Sequence, residues 1–530
     1  MTYEEFEAAF SGKTQKEKKA FIEARHPFYS DKEDHWRFLE STYEGGREWF
    51  DKNIHRFHRE GDKDYRDRVA RAYRFNHTRE VVDLVNKYIF KPDIVRRDAD
   101  VDDVLADFWK HSTLSGKDMN EFMKLCSQRA SIFGKAWAVV DTNYSGGVIS
   151  KRDLKNGKYR PYVYMLSPID MLDIAFDDDG TIAWAKVREY SRDDDTVLSS
   201  GKVVPRYRIW TKDFWALIVE KRNPKGEVVS YDIEDGGSNF LKEVPIVAID
   251  HMIDENAYIG SSLIDDIAYL DRSVANYLSN LDEIIQDQTF SQLIIPFQAM
   301  MPPGALDDNG DDENARVVEL GTKRVFTYDG QANSAPQYIS PDPNQASLIL
   351  KVIEKIINEI YHSTGLAGER TKQDNAMGID NSSGVAKAFD FERMNAMLAS
   401  KASSLQQAEM KILELVAKYI GATVPDDERS VVQYPKTFDV RSLYDEFEIA
   451  QRLALVDAPG SVRREQMNQV AEKLFNRLST EDLRKMQADI AKDWLETENI
   501  EAGPNIQPPR LTNPDSKQGQ NNTANEREVE

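Results

Sequence analysis

A single cysteine, Cys126, stands in 530 residues. That excludes an intrachain disulfide framework and the cysteine-rich zinc modules. No stretch approaches the roughly 20 uncharged apolar residues of a membrane-spanning helix. Met1-Thr2-Tyr3-Glu4-Glu5-Phe6-Glu7 is acidic where a secretory leader needs a basic start and an apolar segment, so no leader is expected. Positive charge is also short. Lys+Arg number 69 against 91 Asp+Glu, a formal charge of −22, which argues against a free DNA-binding protein of the usual basic kind. It does not argue against a protein that encloses DNA without gripping it.

Catalytic signatures are scarce as well. Ser11-Gly12-Lys13-Thr14 has the end of a phosphate-binding loop, but the glycine that the spacing requires at position 7 is Glu7, and no strand-like stretch precedes it. His55 and His58 are three apart without an acidic or cysteine partner at ligand spacing, which reads as polar surface. The acidic residues 307–313 lack the alternation of a calcium loop. No Gly-x-Ser-x-Gly elbow occurs, and Cys126 has no local histidine. The expectation is a protein that is not an enzyme, with no cofactor and no metal.

What is present is a large, mixed chain. At roughly 150 residues per domain the length suggests three or four structural units. Residues 1–125 read as helical. Short β-branched and aromatic runs at 135–140, 162–165, 181–187, 207–210 and 214–219, separated by Asp/Asn/Gly/Pro turns, read as an antiparallel, hairpin-rich sheet.

Leu263, Ile267, Leu270, Val274, Tyr277, Leu281 and Ile284 are spaced 4, 3, 4, 3, 4, 3, predicting a helix over about 261–289 with these residues packed. It would be about 43 Å long. Asp265, Asp266, Asp271, Asp282, Glu283 and Asp287 fall off the stripe and predict an acidic outer surface. Residues 290–342 read as a small α/β insert with strands at 293–297, 315–320 and 323–328. A second helix follows to 363, then a polar stretch at 365–382, and a helix over about 383–420. Short helices over 441–500 precede a tail rich in Pro, Asn, Gln and Gly from 501 onward, which composition predicts to be disordered. The fold class expected is α+β, mainly helical. Ten Lys/Arg between residues 43 and 79 are interleaved with seven acids, which favours ion pairing over a nucleic-acid patch.

This order of elements resembles the portal proteins of tailed bacteriophages. Four stretches carry the resemblance: Tyr43-Glu44-Gly45-Gly46 with Asn76-His77-Thr78-Arg79-Glu80-Val81-Val82; Ile132-Phe133-Gly134-Lys135-Ala136; Asn276-Tyr277-Leu278-Ser279-Asn280-Leu281-Asp282-Glu283 leading to Leu293-Ile294-Ile295-Pro296; and Ser383-Gly384-Val385-Ala386-Lys387-Ala388-Phe389-Asp390-Phe391-Glu392. The resemblance implies a wing made of 1–260 with 383–440, and stem helices at 261–289 and 343–364. It also implies a clip at 290–342, a tunnel loop at 365–382, a crown at 441–500 and a tail at 501–530.

It further implies a dodecameric ring at one capsid vertex of the virion, assembled in the host cytoplasm. That ring would be the channel for genome packaging and ejection. Implied partners are double-stranded DNA passing without sequence specificity, the packaging ATPase (terminase), the major capsid protein and scaffold, and neck or tail adaptor proteins, with no membrane. Twelve copies at −22 carry a formal charge of about −264, a wall that repels phosphates. Arg370 and Lys372 in the tunnel loop are then the candidate DNA contacts. Two other readings remain: a nucleotide-driven DNA-processing enzyme using Gly12-Lys13-Thr14, and a coiled-coil scaffold without a channel.

Overall fold

The computed structural model describes residues 1–440 except 59, 144–148, 150–151, 154–158, 193, 195, 198, 200, 224–226, 255, 290–291, 297–318, 321–322, 329–336, 340–342, 367–383, 426–430, 437 and 439–440; beyond these it describes 460–474 and 480–501. The chain divides into two units, Met1–Val440 and Arg441–Glu530. The architecture is α+β with helix predominating, the class the sequence predicts.

Several helices of the N-terminal region start on a side-chain cap. Thr2 with Glu5 and Thr14 with Glu17 form reciprocal capping boxes for the Tyr3–Ser11 and Gln15–Glu23 helices. Asn76 and Asp118 accept from N3 amides to begin His77–Phe90 and Met119–Phe133. The latter runs straight into strand Lys135–Thr142, nearly all of which is buried. That strand is the centre of a three-stranded antiparallel sheet between Pro161–Leu166 and Ile246–Asp250. A five-stranded meander occupies 171–238, each strand antiparallel to the next in sequence.

One large apolar core joins the Met119–Phe133 helix, the three-stranded sheet and the inner face of the meander to three long helices, Ile267–Thr289, Pro343–Ser363 and Gly384–Ile420. The outer face of the meander has its own small core. Ile209, Phe214, Ala216, Ile218 and Tyr231 pack there against Phe10 and Ile22 of the first two helices.

Between the first two long helices lie four short strands in the order Glu319–Leu320, Lys323–Tyr328, Gln292–Pro296, Gln337–Ile339, with a parallel pair at Leu293↔Val325. The second unit contains helices Gly460–Leu474 and Thr480–Glu501, the latter opening on Glu481 and Asp482.

The first long helix starts at Ile267, six residues later than the periodicity predicts. The stretch before it is held by hydrogen bonds instead. The Ser262 hydroxyl donates to the carbonyls of Ser131 (3.1 Å) and Ile132 (2.7 Å), and the Leu263 amide donates to Ser131 (3.0 Å). Asp265 accepts from the Ser262 amide at 3.1 Å, so the helix begins only once this turn is closed. Backbones also cross closely here: a Cβ on Gly134 (φ +86°) would stand 2.1 Å from the carbonyl oxygen of Gly260.

Candidate functional site

The feature that distinguishes this chain is the pair of long helices and the junction that fixes it to the N-terminal region. Ile267–Thr289 buries Ile267, Ala268, Asp271, Val274, Ala275, Leu278 and Leu281. Leu263 and Leu270 are partly buried against the same core, and Ile284 is half-buried. Pro343–Ser363 answers with Ile353, Ile357, Ile360 and Tyr361. Tyr277 points away from this core and is 36% exposed. Ile285, Leu348 and Leu350, on the two helices, are exposed by 49%, 63% and 52%.

Asp271 departs from the acidic outer surface expected of it. It is fully buried, accepting from the Thr78 amide (3.2 Å) and hydroxyl (2.8 Å) and pairing with Arg74 (3.2 Å). Burial pushes its carboxyl above the ordinary value, while Arg74 and Thr78 pull it back. The Arg74 guanidinium lies 3.9 Å from the centroid of the Trp49 ring.

Asp282 and Glu283 are engaged too, both by Arg71, at 3.2 and 2.7 Å. Asp265 meets His35 at 2.8 Å, and Asp266 is exposed. The side chain of Asp287 lies outside the described residues. Arg68, buried, donates to Ser279 (3.0 Å), to the His55 carbonyl (2.8 Å) and to both carboxylate oxygens of Glu60 (2.7 Å each). So Arg71 and Arg74 pair with three acids of the helix within the subunit, and Arg68 ties the helix to Glu60 through Ser279, as the interleaved charges of this stretch suggest. Their partners were not readable from sequence; the one local signal is the spacing of three, which puts 68 and 71 on one face of Asp62–Arg71.

The second long helix reaches the same place. The Tyr361 hydroxyl donates to Glu80 at 2.5 Å and lies 3.1 Å from Nδ1 of His77. The first turn of His77–Phe90 thus holds the beginning of one long helix and the end of the other.

Residues 29–493 match the family described as "Phage portal protein, SPP1 Gp6-like". The chain belongs to this family. Its members are structural proteins, and the role is that of a portal or connector. Among solved structures the portal-family chain is similar to the neck of an empty GTA particle computed with C6 symmetry (12% identity, 73% of this chain and 88% of that chain, TM-score 0.38). It is also similar to the virion of a native gene transfer agent particle (10%, 73% and 89%, 0.37) and to the neck of a native GTA particle computed with C12 symmetry (10%, 77% and 89%, 0.34). No curated protein matches.

Other candidate chemistry in this portal-family chain is already committed. Thr14 caps a helix and follows another helix, so Gly12-Lys13-Thr14 has no strand to present it as a phosphate loop. His55 lies in coil, where its amide donates to Asn276 at 2.8 Å. A cavity of about 240 Å³ between the sheets is bordered by Asp141, Tyr162, Arg208 and two tryptophans, Trp210 and Trp215. Arg208 is paired with Asp141 (3.2 Å) and Glu189 (3.0 Å), and Asp235 also borders the cavity. Among the described residues no three His, Cys, Asp or Glu converge as a metal ion requires, and no helix is long and apolar enough to cross a membrane. Arg370 and Lys372 lie outside the described residues, as does the tail beyond 501.

Proposed function

We propose that this chain forms the dodecameric ring at one capsid vertex, through which the genome enters during packaging and leaves during ejection. The observation that carries the reading, beyond family membership, is the apolar surface left on the two long helices. Tyr277, Ile285, Leu348 and Leu350 are exposed in the subunit on these two helices, apolar surface that a neighbouring copy would remove from water. A neighbouring copy of the same helix pair covers them. The stem is then 261–289 with 343–364, the wing 1–260 with 383–440, the clip 290–342 and the crown 441–500.

Double-stranded DNA passes without base readout, since a packaged genome presents every sequence in turn. The net charge of −22 supports sliding over gripping, because phosphates are repelled and not bound with counterion release. Arg370 and Lys372, in the tunnel loop at 365–382, supply transient phosphate contacts. The clip docks the packaging ATPase and later the neck or tail adaptors, while the wing meets the major capsid protein and scaffold. Assembly takes place in the host cytoplasm and the ring ends in the virion. Negative-stain images of the purified chain test the reading: rings with an open centre are expected, and rods or lone subunits would refute it.

A further inference from the structure

The C-terminal turn of Met119–Phe133 is a joint between three parts of the fold. Its Ser131 and Ile132 carbonyls hold Ser262 and Leu263, the lead-in to the first long helix. Lys401, in the middle of Gly384–Ile420, donates to the Ser127 carbonyl at 2.9 Å and to the Ser131 hydroxyl. The Ser131 hydroxyl also lies 3.1 Å from the Ser127 carbonyl, to which it donates, and 3.4 Å from Nδ1 of His251. Ser404, three residues on from Lys401, donates to the Asp250 carbonyl at 2.9 Å. Lys401, Ser127, Ser131 and His251 are all buried.

A helix C-terminus favours a cation, but an ammonium wholly out of water needs a counter-charge to stay charged. Among the described residues Lys401 has none. The charged groups on the surrounding elements are used elsewhere: Asp250 by Lys135 (2.9 Å), Arg129 by Glu40 (2.9 Å), Asp265 by His35 (2.8 Å) and Glu409 by Arg96 (2.6 Å). The titratable ring that faces it is His251, and a cation there is repelled, not paired.

We propose that Lys401 is a proton-operated latch. Uncharged, it holds the long helix to the C-terminal turn of Met119–Phe133; protonated, it loosens that turn and with it the lead-in to the first long helix. Burial agrees in direction, bringing the ammonium from 10.5 down to about 7, while burial and Lys401 keep His251 well below its ordinary value. The closed joint therefore binds fewer protons than the open one. Through Lys401, opening becomes more favourable as pH falls from 10.5 toward 7, by up to about tenfold per pH unit; below about 6.5 the released His251 takes up a proton as well and adds its own increase. The latch belongs to one subunit and does not depend on the ring.

Cys126, the chain's single thiol, is buried one residue before Ser127 and reports on the joint. The test is its rate of modification by a thiol reagent in the full-length protein. Dividing by the rate in the denatured chain at the same pH removes the ordinary thiolate dependence. The normalised rate should rise more than tenfold between pH 9 and pH 7, and over that window should be nearly independent of pH in Lys401→Met. A flat wild-type profile, or an equally steep one in Lys401→Met, overturns the latch. Should that variant not fold, hydrogen exchange of the wild-type amides at 119–133, corrected for intrinsic rates, must show the same rise, and a flat profile there is equally decisive.

Discussion

Asp271 accepts both the amide and the hydroxyl of Thr78, so a carboxylate on the first long helix caps the first turn of His77–Phe90. The position is favourable twice over, because the positive end of the helix dipole and Arg74 both face the anion.

Removing that carboxylate leaves Arg74 buried and unpaired. Asp271→Ala should therefore cost about 3–5 kcal/mol in urea unfolding. Asp266→Ala, which removes an exposed carboxylate of the same helix lead-in, should cost less than about 1 kcal/mol. Similar losses for the two variants would show that the junction does not hold the helix.

Gly134→Ala should be severely destabilising. The residue has φ +86° and its new Cβ would stand 2.1 Å from the Gly260 carbonyl oxygen. Gly116→Ala is the control: φ is +81° but nothing lies within 4 Å, so only backbone strain of about 1–2 kcal/mol is added. Thermal melts should show a large drop for the first and a small one for the second; equal drops would mean the crossing relaxes easily.

Much of this was legible in sequence. The antiparallel meander and the 384–420 helix come from local signals: alternation between turn residues, and a sustained apolar stripe. The period of the first long helix was also legible, but its buried face is centred on Ala268, Asp271, Ala275 and Leu278, not on Leu270 and Tyr277. Small residues and an aspartate do not announce a core face. Asp271 is buried because of Thr78 and Arg74, nearly two hundred residues earlier in the chain, and Lys401 because of Ser127 and Ser131, 270 or more residues away. Such partners come from tertiary packing, which no local pattern encodes.

Deleting residues 1–25 should leave the main core folded and uncover the outer face of the meander. The truncated chain keeps most of its far-UV signal but binds a hydrophobic dye, since Phe10 and Ile22 each remove about 1.5–3 kcal/mol worth of apolar surface from water there. Absence of dye binding would mean that the face is not apolar enough to need its cover.

The double variant Arg370→Ala, Lys372→Ala should assemble normally but alter packaged DNA content or its retention. Exposed, salt-screened contacts act on function without contributing much to stability. Normal DNA content and retention across a range of salt would remove both residues from the account.

Imaging the purified full-length chain by electron microscopy, with its mass in solution, tests the central claim most directly. Closed rings of twelve subunits around an open channel are the predicted result. A homogeneous monomer, or an assembly without a central opening, would contradict it.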